Sequence, residues 1–292
     1  MEGMIFDIRR SSINDGPGIR TVIFFKGCNL RCIWCHNPES LSALMQIQYY
    51  PSKCIGCGKC IELCPVKAHD VIDNNKVFLR ELCILCEKCT SSCYAGALTR
   101  IGQKICVNDV VAEIKKDCLY YKNSGGGVTF SGGEPLLQPI FLKELLTECK
   151  KLDVHCAIET AVNVQWDTLL EVMPMVDLFI CDVKIMDEKK HQEFTGVGNK
   201  QILANIKKLS EYKKDLWVRT PIIPGVNDNI QEISKIRDFV RSIATVKKFE
   251  LLPYHDMAEE KYTSLGMQYK LRGLPSLKET SLTEQENAHA MS

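Results

Sequence analysis

The chain has 292 residues, of which 45% are apolar, and its 37 basic and 36 acidic side chains nearly balance. This is the composition of an ordinary globular protein with one large or two smaller domains. The formal net charge of +1 argues against electrostatic binding to nucleic acid or to an anionic membrane. No apolar run is long enough to span a membrane, and the first residues lack a signal-peptide core. We therefore expect a cytosolic protein without nucleic-acid or membrane partners.

Cysteine is unusually abundant, with 16 residues. The reducing pools of the cytosol do not allow so many structural disulfides, and clustered cysteines there more often bind metal or carry out redox chemistry. Eleven of them lie between Cys28 and Cys93 in three tight groups. The remaining, solitary cysteines are expected to be small buried side chains; they are Cys106, Cys118, Cys149, Cys156 and Cys181.

Short apolar, partly β-branched segments alternate with helical patterns along the chain, as in parallel sheets with helical crossovers. The pattern predicts an α/β fold, either a closed or nearly closed barrel or a doubly wound open sheet. In both, the chemistry lies at the carboxyl ends of the strands. The predicted strands are 20–27, 127–131, 155–160, 178–184, 216–223 and 248–253, and the predicted helices are 108–122, 138–152, 166–173, 202–213 and 230–244.

Residues 51–105 interrupt this alternation, because they are dense in Cys, Gly, Lys and Pro and contain an internal repeat. We expect a small domain inserted between the first two predicted strands, so that the main domain comprises residues 1–50 and 106–275. Residues 276–292 are polar and are expected to form a frayed tail.

The repeat consists of two C-x2-C-x2-C-x3-C runs, which begin at Cys54 and Cys83. This is the spacing of bacterial ferredoxins, in which the fourth cysteine of one run binds the cluster of the other. Zinc is the alternative, but zinc sites usually pair two cysteines with two distant ligands. The runs therefore predict two [4Fe–4S] clusters that transfer electrons. Their ligands would be Cys54, Cys57, Cys60 and Cys93 for one cluster and Cys83, Cys86, Cys89 and Cys64 for the other.

The first cysteine group, Cys28-x3-Cys32-x2-Cys35, offers only three thiolates and directly follows the first predicted strand. A cubane cluster held by three thiolates leaves one iron open, and an open coordination site is typical of catalytic metal centres. The spacing resembles the signature of the radical S-adenosylmethionine superfamily. The resemblance implies that the open iron binds the amino and carboxylate groups of S-adenosylmethionine. Trp34 matches the aromatic residue usual beside the last cysteine.

A second motif, Ser131-Gly-Gly-Glu-Pro135, follows the second predicted strand. Two glycines let the backbone approach a ligand closely, and the Glu134 carboxylate can accept a hydrogen bond from an ammonium group. A plain turn is the alternative. The motif resembles the GGE sequence of the superfamily, which implies that Gly132, Gly133 and Glu134 bind the methionine amino group.

The lead-in Asn14-Asp-Gly-Pro-Gly-Ile-Arg20, with Phe24 and Gly27 before the three cysteines, narrows the resemblance. It is similar to the signature of the activating enzymes of glycyl radical enzymes, whose prototype is pyruvate formate-lyase activating enzyme. The insertion resembles that of the longer subgroup of this family. The resemblance covers about residues 4–275 and implies a partial (β/α)6 radical S-adenosylmethionine barrel with an inserted ferredoxin-like domain that holds two [4Fe–4S] clusters.

The resemblance also implies roles for individual side chains. Lys184 and His255 would contact the carboxylate of S-adenosylmethionine, and Asp182 would accept from the ribose. Arg219 would stabilise the cleaved cofactor. The cofactor site would further include Glu159, Thr160, Trp34 and His36, with Glu159 and Asp182 holding a monovalent cation or the amino group. Asp15, Gly16 and Arg20 are expected at the cluster mouth or against the partner's loop, unless they only form a tight turn.

The predicted function is reductive cleavage of S-adenosylmethionine and abstraction of a hydrogen from a backbone glycine of a partner glycyl radical enzyme. Flavodoxin or ferredoxin would supply the electron, and a monomer that docks transiently is expected. One alternative is a maturase-like enzyme that modifies a peptide or small molecule. The other is a ferredoxin-type electron carrier, which leaves the three-cysteine group unexplained.

Overall fold

A computed structural model of the chain describes residues 1–73 and 75–277. The elements alternate between strands and helices over most of this length. The strands are β1 Glu2–Ser12, β2 Arg20–Phe25, β3 Gln46–Tyr49, β4 His69–Ile72, β5 Asn75–Phe78, β6 Leu98–Ile101, β7 Gln103–Cys106, β8 Gly127–Gly132, β9 His155–Thr160, β10 Leu178–Asp182, β11 Asp215–Ile222 and β12 Val246–Pro253. The helices are α1 Lys59–Leu63, α2 Lys88–Ser91, α3 Val107–Lys115, α4 Cys118–Ser124, α5 Pro139–Lys151, α6 Trp166–Val172, α7 Glu188–Thr195, α8 Lys200–Glu211, α9 Ile230–Arg241 and α10 Glu259–Ser264.

The main sheet has eight strands in the order β12-β11-β10-β9-β8-β2-β1-β7. The six strands from β2 to β12 in this sheet pair in parallel, so their carboxyl ends meet at one edge. All six correspond to the predicted strands, with bounds that differ by at most two residues. The α/β class with a parallel-strand sheet is therefore confirmed. In the described part of the chain, β12 and β7 are the two edges, so the sheet is open.

The two faces of the sheet have different characters, because successive side chains of a strand point to opposite faces. On β9, Cys156 and Ile158 belong to the large apolar core beneath the helices, whereas Glu159 faces the other way. The same alternation places Arg219 of β11 and Glu250 of β12 on the polar face. The face opposite the helix-covered core has a small apolar cluster of Ala157, Leu178 and Ile180. It becomes polar toward the carboxyl edge of the strands, where the candidate site lies.

Three features of the main domain were not predicted: strands β1 and β7, helix α7, and helix α10 after β12. Strands β1 and β7 extend the sheet in the antiparallel direction beside β2, and helix α7 follows β10. The predicted helix 108–122 is also divided, since α3 ends at Lys115 and α4 begins at Cys118. The buried carboxylate of Asp117 lies at this break and accepts hydrogen bonds from Arg10 and from the Thr21 hydroxyl (2.7 Å), which favours a break over a continuous helix.

The inserted segment forms a small unit of two two-stranded sheets, in which β3 pairs with β6 and β4 pairs with β5. It therefore begins before residue 51, and β7, which contains residues 103–106, pairs with β1 in the main sheet. Two short helices, α1 and α2, lie between the strands. Arg80 fastens the unit to helix α10 by donating to the carbonyl oxygens of Ile47 and Ser264.

The internal repeat is visible in the backbone, with a period of 29 residues (54 to 83). Gly56 and its counterpart Leu85 have φ values of +70° and +57°, and Gly58 and Glu87 have φ values of +74° and +60°. Strands β3 and β5 are also counterparts, as are β4 and β6. Since the left-handed region is unfavourable for Leu and Glu, its recurrence indicates a tertiary requirement for the same loop in both halves.

The carboxyl end of the described chain is ordered further than predicted. The Ser276 hydroxyl donates to Asp256 (3.0 Å), and the amide of Leu277 donates to the carbonyl of Tyr254 (2.8 Å). Residues 276 and 277 are therefore not part of a frayed tail, and the remainder of that predicted tail lies outside the described residues. In the described part of the chain, no helix is long and apolar enough to cross a membrane.

Candidate active site

The three-cysteine loop leaves the carboxyl end of β2 and is held by backbone bonds on both sides. The amide of Gly27 donates to the carbonyl of Ser40 (2.7 Å), and the amide of Arg31 donates to the carbonyl of Thr195 (2.7 Å). Burial raises the pKa of Cys32 to about 11 and that of Cys35 to about 12, and the neighbouring thiols contribute to both increases. The loop thus gathers its thiols in a nonpolar environment beside the sheet edge.

The glycines of the Ser131–Pro135 motif allow β8 to lie directly against the end of β2. Gly132 has a φ of +108°, and a Cβ atom there would lie 2.4 Å from the carbonyl oxygen of Phe25. A Cβ atom on Gly133 would lie 2.2 Å from the carbonyl oxygen of Gly27. The amide of Glu134 donates to that same oxygen (2.8 Å). No larger side chain fits here, so the two loops that carry the motifs form one cradle.

The Glu134 carboxylate is fully enclosed and receives several hydrogen bonds. Its donors are the Thr160 hydroxyl (2.7 and 2.8 Å), the amide of Ala161 (3.0 Å) and the amide of Leu136 (3.2 Å). Burial raises the pKa of Glu134 to about 7, although these bonds favour the charged form. Thr160 therefore orients Glu134, a contact that its place in the sequence did not reveal.

Asp182 and Lys184, at the end of β10, bind each other at 2.6 Å. The Lys184 side chain is 9% exposed and that of Asp182 is 25% exposed. Burial lowers the pKa of Lys184, but Asp182 and the thiol of Cys32 outweigh this and raise it above its ordinary value. The ammonium group therefore stays charged beside the three-cysteine loop.

Arg219 lies between two carboxylates on the polar face. Its Nη1 donates to Glu159 (2.7 Å) and its Nε donates to Glu250 (3.1 Å), while Nη2 donates to the carbonyl of Asn14. Burial lowers the pKa of Arg219, but the Glu159 and Glu250 carboxylates raise it further than burial lowers it. Burial raises the pKa of Glu159, and Arg219 opposes this. Sequence reasoning missed Glu250; its place on β12 in register with Arg219 was the only available signal.

His36 and His255 stack on each other, with ring centroids 3.7 Å apart. His36 Nε2 lies 3.1 Å from the carbonyl oxygen of His255. Burial, followed by the nearby His255, lowers the pKa of His36 to about 4, so that this imidazole is neutral near pH 7. The buried Nδ1 of His255 has no hydrogen-bond partner among the described residues and is free to bind a ligand.

Two other predicted residues are buried in the protein. Trp34 is 5% exposed and packs in an apolar cluster with Tyr254, Tyr262 and Tyr269, so it anchors the loop between Cys32 and Cys35. Arg20 is fully buried at the opposite end of β2, where its Nε donates to the Thr129 hydroxyl (2.6 Å). Its guanidinium group is therefore committed to holding β2 against β8 and is not presented to a partner.

The cysteines of the two runs lie close to one another in the inserted unit. Most belong to or border one small apolar cluster, which also contains Ile47, Tyr49 and Leu98. Backbone amides point at several of the sulfur atoms, such as the amide of Ala68 toward Cys64 Sγ (3.1 Å). Cys57 and Cys86, the second cysteine of each run, are exposed. Of the solitary cysteines, Cys149, Cys156 and Cys181 are buried as predicted, whereas Cys106 and Cys118 are half-buried.

Comparison with known proteins agrees with this geometry. The sequence model of the Radical SAM superfamily matches residues 22–240. The chain is 39% identical over 279 residues to the (2S)-3-sulfopropanediol dehydratase activating enzyme of Klebsiella oxytoca, covering 93% of this chain and 88% of that protein. It is 41% identical over 282 residues to the indoleacetate decarboxylase activating enzyme of Tractidigestivibacter scatoligenes, covering 93% and 89%. The chain belongs to the radical S-adenosylmethionine activating enzymes of glycyl radical enzymes.

Among solved structures, this activating enzyme is similar in fold to SuiB of Streptococcus suis bound to its precursor peptide SuiA. The TM-score is 0.50 at 18% identity, and the match covers 65% of this chain and 40% of SuiB. At this identity the likeness shows the shared fold alone.

The residues of the activating enzyme fit the [4Fe–4S] cluster and the S-adenosylmethionine that its superfamily implies. In residues 1–73 and 75–277, no three His, Cys, Asp or Glu side chains are arranged to hold a single metal ion. A cubane cluster has a different requirement, because each thiolate binds a different iron atom. Three neighbouring thiols, a charged Lys184 and the unpartnered Nδ1 of His255 supply suitable groups for a cluster and a zwitterionic ligand.

Proposed function

We propose that this enzyme reductively cleaves S-adenosylmethionine and activates a glycyl radical enzyme by removing one hydrogen atom from a backbone glycine. When bound, the cluster would supply the one electron that breaks the bond between sulfur and C5′, so that S-adenosylmethionine yields methionine and a 5′-deoxyadenosyl radical. That radical takes hydrogen from the glycine Cα and becomes 5′-deoxyadenosine. The observation that carries the proposal is the cradle formed by the three-cysteine loop and Gly132–Gly133, in a chain about 40% identical to activating enzymes.

Cys28, Cys32 and Cys35 would hold the catalytic cluster. Lys184 and His255 present the groups that suit a carboxylate, one as a charged ammonium and the other as an unpartnered ring nitrogen. The remaining residues proposed at the cofactor are Gly132, Gly133, Glu134, Glu159, Thr160, Asp182, Arg219, Trp34 and His36.

Two of these residues would act indirectly. Trp34 packs behind the cluster loop, and Thr160 orients Glu134. Glu159 and Asp182 each already have a cationic partner, in Arg219 and Lys184, so a monovalent cation would have to share these carboxylates with them.

The inserted unit is proposed to hold two further [4Fe–4S] clusters, with the ligand sets that the ferredoxin spacing assigns. The left-handed loops support this, because they recur at equivalent positions in each half. Backbone amides are also directed at the third cysteine of each run, Cys60 and Cys89. Exposed Cys57 and Cys86 would place an edge of each cluster near a docked electron donor, for which flavodoxin or ferredoxin is suited. We also propose that the enzyme is a monomer that binds its partner transiently.

The test measures both products in one reaction. The anaerobically purified, reduced enzyme is mixed with S-adenosylmethionine and, in turn, with each of a panel of glycyl radical enzymes. We expect 5′-deoxyadenosine by chromatography and a persistent carbon-centred doublet by EPR on one partner. Cys32→Ser should reduce both signals to background. The matched control is Cys106→Ser, at a half-buried solitary cysteine, and it should retain both.

The outcomes separate the proposal from its alternatives. Deoxyadenosine without a doublet on any partner would favour a maturase-like enzyme with another substrate. Neither product from a protein that holds all its iron would contradict catalysis and favour an electron carrier. Equal activity of Cys32→Ser and wild type would remove the three-cysteine loop from the chemistry.

A further inference from the structure

The two halves of the inserted unit carry different side chains at one equivalent strand position, which lies near the third cysteine of the opposite run. The 29-residue repeat (54 to 83) makes strands β3 and β5 counterparts, so Ile47 of β3 corresponds to Lys76 of β5. Ile47 belongs to the same apolar cluster as Cys89, the third cysteine of the second run. Lys76 lies beside Cys60, the third cysteine of the first run. An apolar side chain in one half is therefore replaced by a cation in the other.

The Lys76 ammonium group is a buried donor near the Cys60 sulfur. Its Nζ has no hydrogen-bond partner among the described residues and lies 3.7 Å from the centre of the Tyr49 ring. Burial raises the pKa of the Cys60 thiol, and the charge and hydrogen-bonding reach of Lys76 oppose this increase. A buried ammonium group without an acceptor is costly, and a thiolate at Cys60 would supply the missing partner.

A second difference affects the same half. The Tyr49 hydroxyl lies near the Cys54 sulfur, and burial followed by the interaction with that thiol raises the pKa of Tyr49 to about 12. Its counterpart in the repeat is Phe78, which has no hydroxyl to offer Cys83. Both asymmetries therefore place a donor beside the ligand set that contains Cys54 and Cys60. The other set has the charge of Arg80 near Cys83, but the two Nη atoms of Arg80 donate to the carbonyls of Ile47 and Ser264.

Reduction of an iron–sulfur cluster adds negative charge, which a nearby cation and hydrogen bonds to sulfur stabilise. We propose that Lys76, assisted by Tyr49, raises the reduction potential of the Cys54–Cys57–Cys60–Cys93 cluster above that of its partner, so that the first electron rests there. The proposal rests on the two-cluster assignment made under the proposed function. Lys76 acts by placing a positive charge near one cluster and is not itself a ligand. The two clusters would therefore be reduced one after the other and would not be equivalent.

The test is an anaerobic potentiometric titration of the full-length, iron-loaded enzyme, followed by EPR. Lys76→Ile installs the residue found at the equivalent position of the other half. At a fixed potential, the ratio of reduced to oxidised Cys54–Cys57–Cys60–Cys93 cluster, followed by its EPR signal, should fall about tenfold. For a one-electron couple this equals about 59 mV, as loss of one charge-assisted hydrogen bond predicts. Tyr49→Phe should shift the same signal less, and Lys76→Arg should resemble wild type.

Two further variants complete the design. Ile47→Lys should shift the other signal to higher potential, because it places the cation in the second half. The matched control is Lys59→Met, which removes an exposed ammonium group next to Cys60 in sequence, 4.9 Å from the Tyr94 ring, and should leave both signals in place.

Unchanged potentials in Lys76→Ile, with full iron content, would overturn the inference. So would equal shifts in Lys76→Ile and Lys59→Met, since these indicate general charge screening. An iron content that fits one cluster would overturn both this inference and the two-cluster insertion. It would leave the activating function standing, because that depends on Cys28, Cys32 and Cys35.

Discussion

The strand-end site and the inserted unit are organised in opposite ways. At the strand ends, polar side chains satisfy one another, as in Glu134 with Thr160 and Arg219 with Glu159. In the inserted unit the helices are short, five residues in α1 and four in α2, and five of the eleven residues in or against the apolar cluster are cysteines. Most polar groups of the first region have partners within the protein, although the Nδ1 of His255 has none among the described residues. The inserted unit has only a small apolar cluster, which the proposed iron–sulfur clusters would complete.

This difference indicates where each region obtains its stability. A parallel sheet with a helix-covered core has enough buried apolar surface to fold without its cofactor. A small unit that binds metal through its thiols obtains part of its folding free energy from that binding. The sheet thus holds the strand-end site, and the inserted unit would depend on the clusters proposed for it.

Removal of iron should give the largest effect. After anaerobic chelation, we expect residues 46–101 to lose protection from hydrogen exchange, while peptides from β9 and β10 keep theirs as internal controls. Mass spectrometry of both sets of peptides checks this. Continued protection of the inserted segment in the iron-free protein would show that its small apolar cluster is enough to keep it folded. The proposed difference in stability between the two regions would then be wrong.

The pH dependence of stability should reveal the burial of Glu134. Its pKa rises from the ordinary 4.5 to about 7, so the folded protein retains a proton that the unfolded chain has lost between these values. Stability should therefore fall as pH rises through this window, by about 3 kcal/mol. Glu134→Gln should remove this contribution in urea unfolding of the iron-free enzyme.

The control for Glu134 is Glu144→Gln, which removes a carboxylate from the half-exposed surface of α5. The difference in unfolding free energy between Glu134→Gln and wild type should change with pH, and the difference for the control should not. Parallel curves for Glu134→Gln and wild type would mean that the three hydrogen bonds hold Glu134 charged throughout.

Glu250→Gln should have the smallest effect. Arg219 would keep its bond to Glu159 but lose one charged partner, so we expect the rate of deoxyadenosine formation at limiting S-adenosylmethionine to fall about tenfold. Lys248→Met is the matched control, because it removes the other partner of Glu250, at 2.7 Å, and leaves the bond to Arg219. Equal rates for the two variants would show that Glu250 does not position Arg219.

The sequence predicted what depends on local pattern. The six parallel strands follow from short apolar segments, and the gathering of Glu134, Lys184 and Arg219 follows from their places at strand ends. The break at Asp117 depends on Arg10, about a hundred residues away in the chain, and no local signal marks it.

The residues that the sequence placed less well are those whose role depends on tertiary partners. Trp34 matched a signature position, but the structure shows it packed against tyrosines from the end of the chain. Glu250 belongs to no sequence motif, and its contact with Arg219 is recognised only from the pairing of β11 with β12. Spacing therefore predicts candidate ligand sets, whereas the supporting contacts become apparent only in the structure.

The double contact of Arg80 has a mechanical consequence. The inserted unit joins the main sheet at two chain crossings, and two points define an axis about which a body can swing. The bond from Arg80 to the carbonyl of Ser264 adds a third point away from the chain crossings, on helix α10. Three points of attachment oppose rotation about that axis, so the inserted unit keeps its orientation relative to the main sheet.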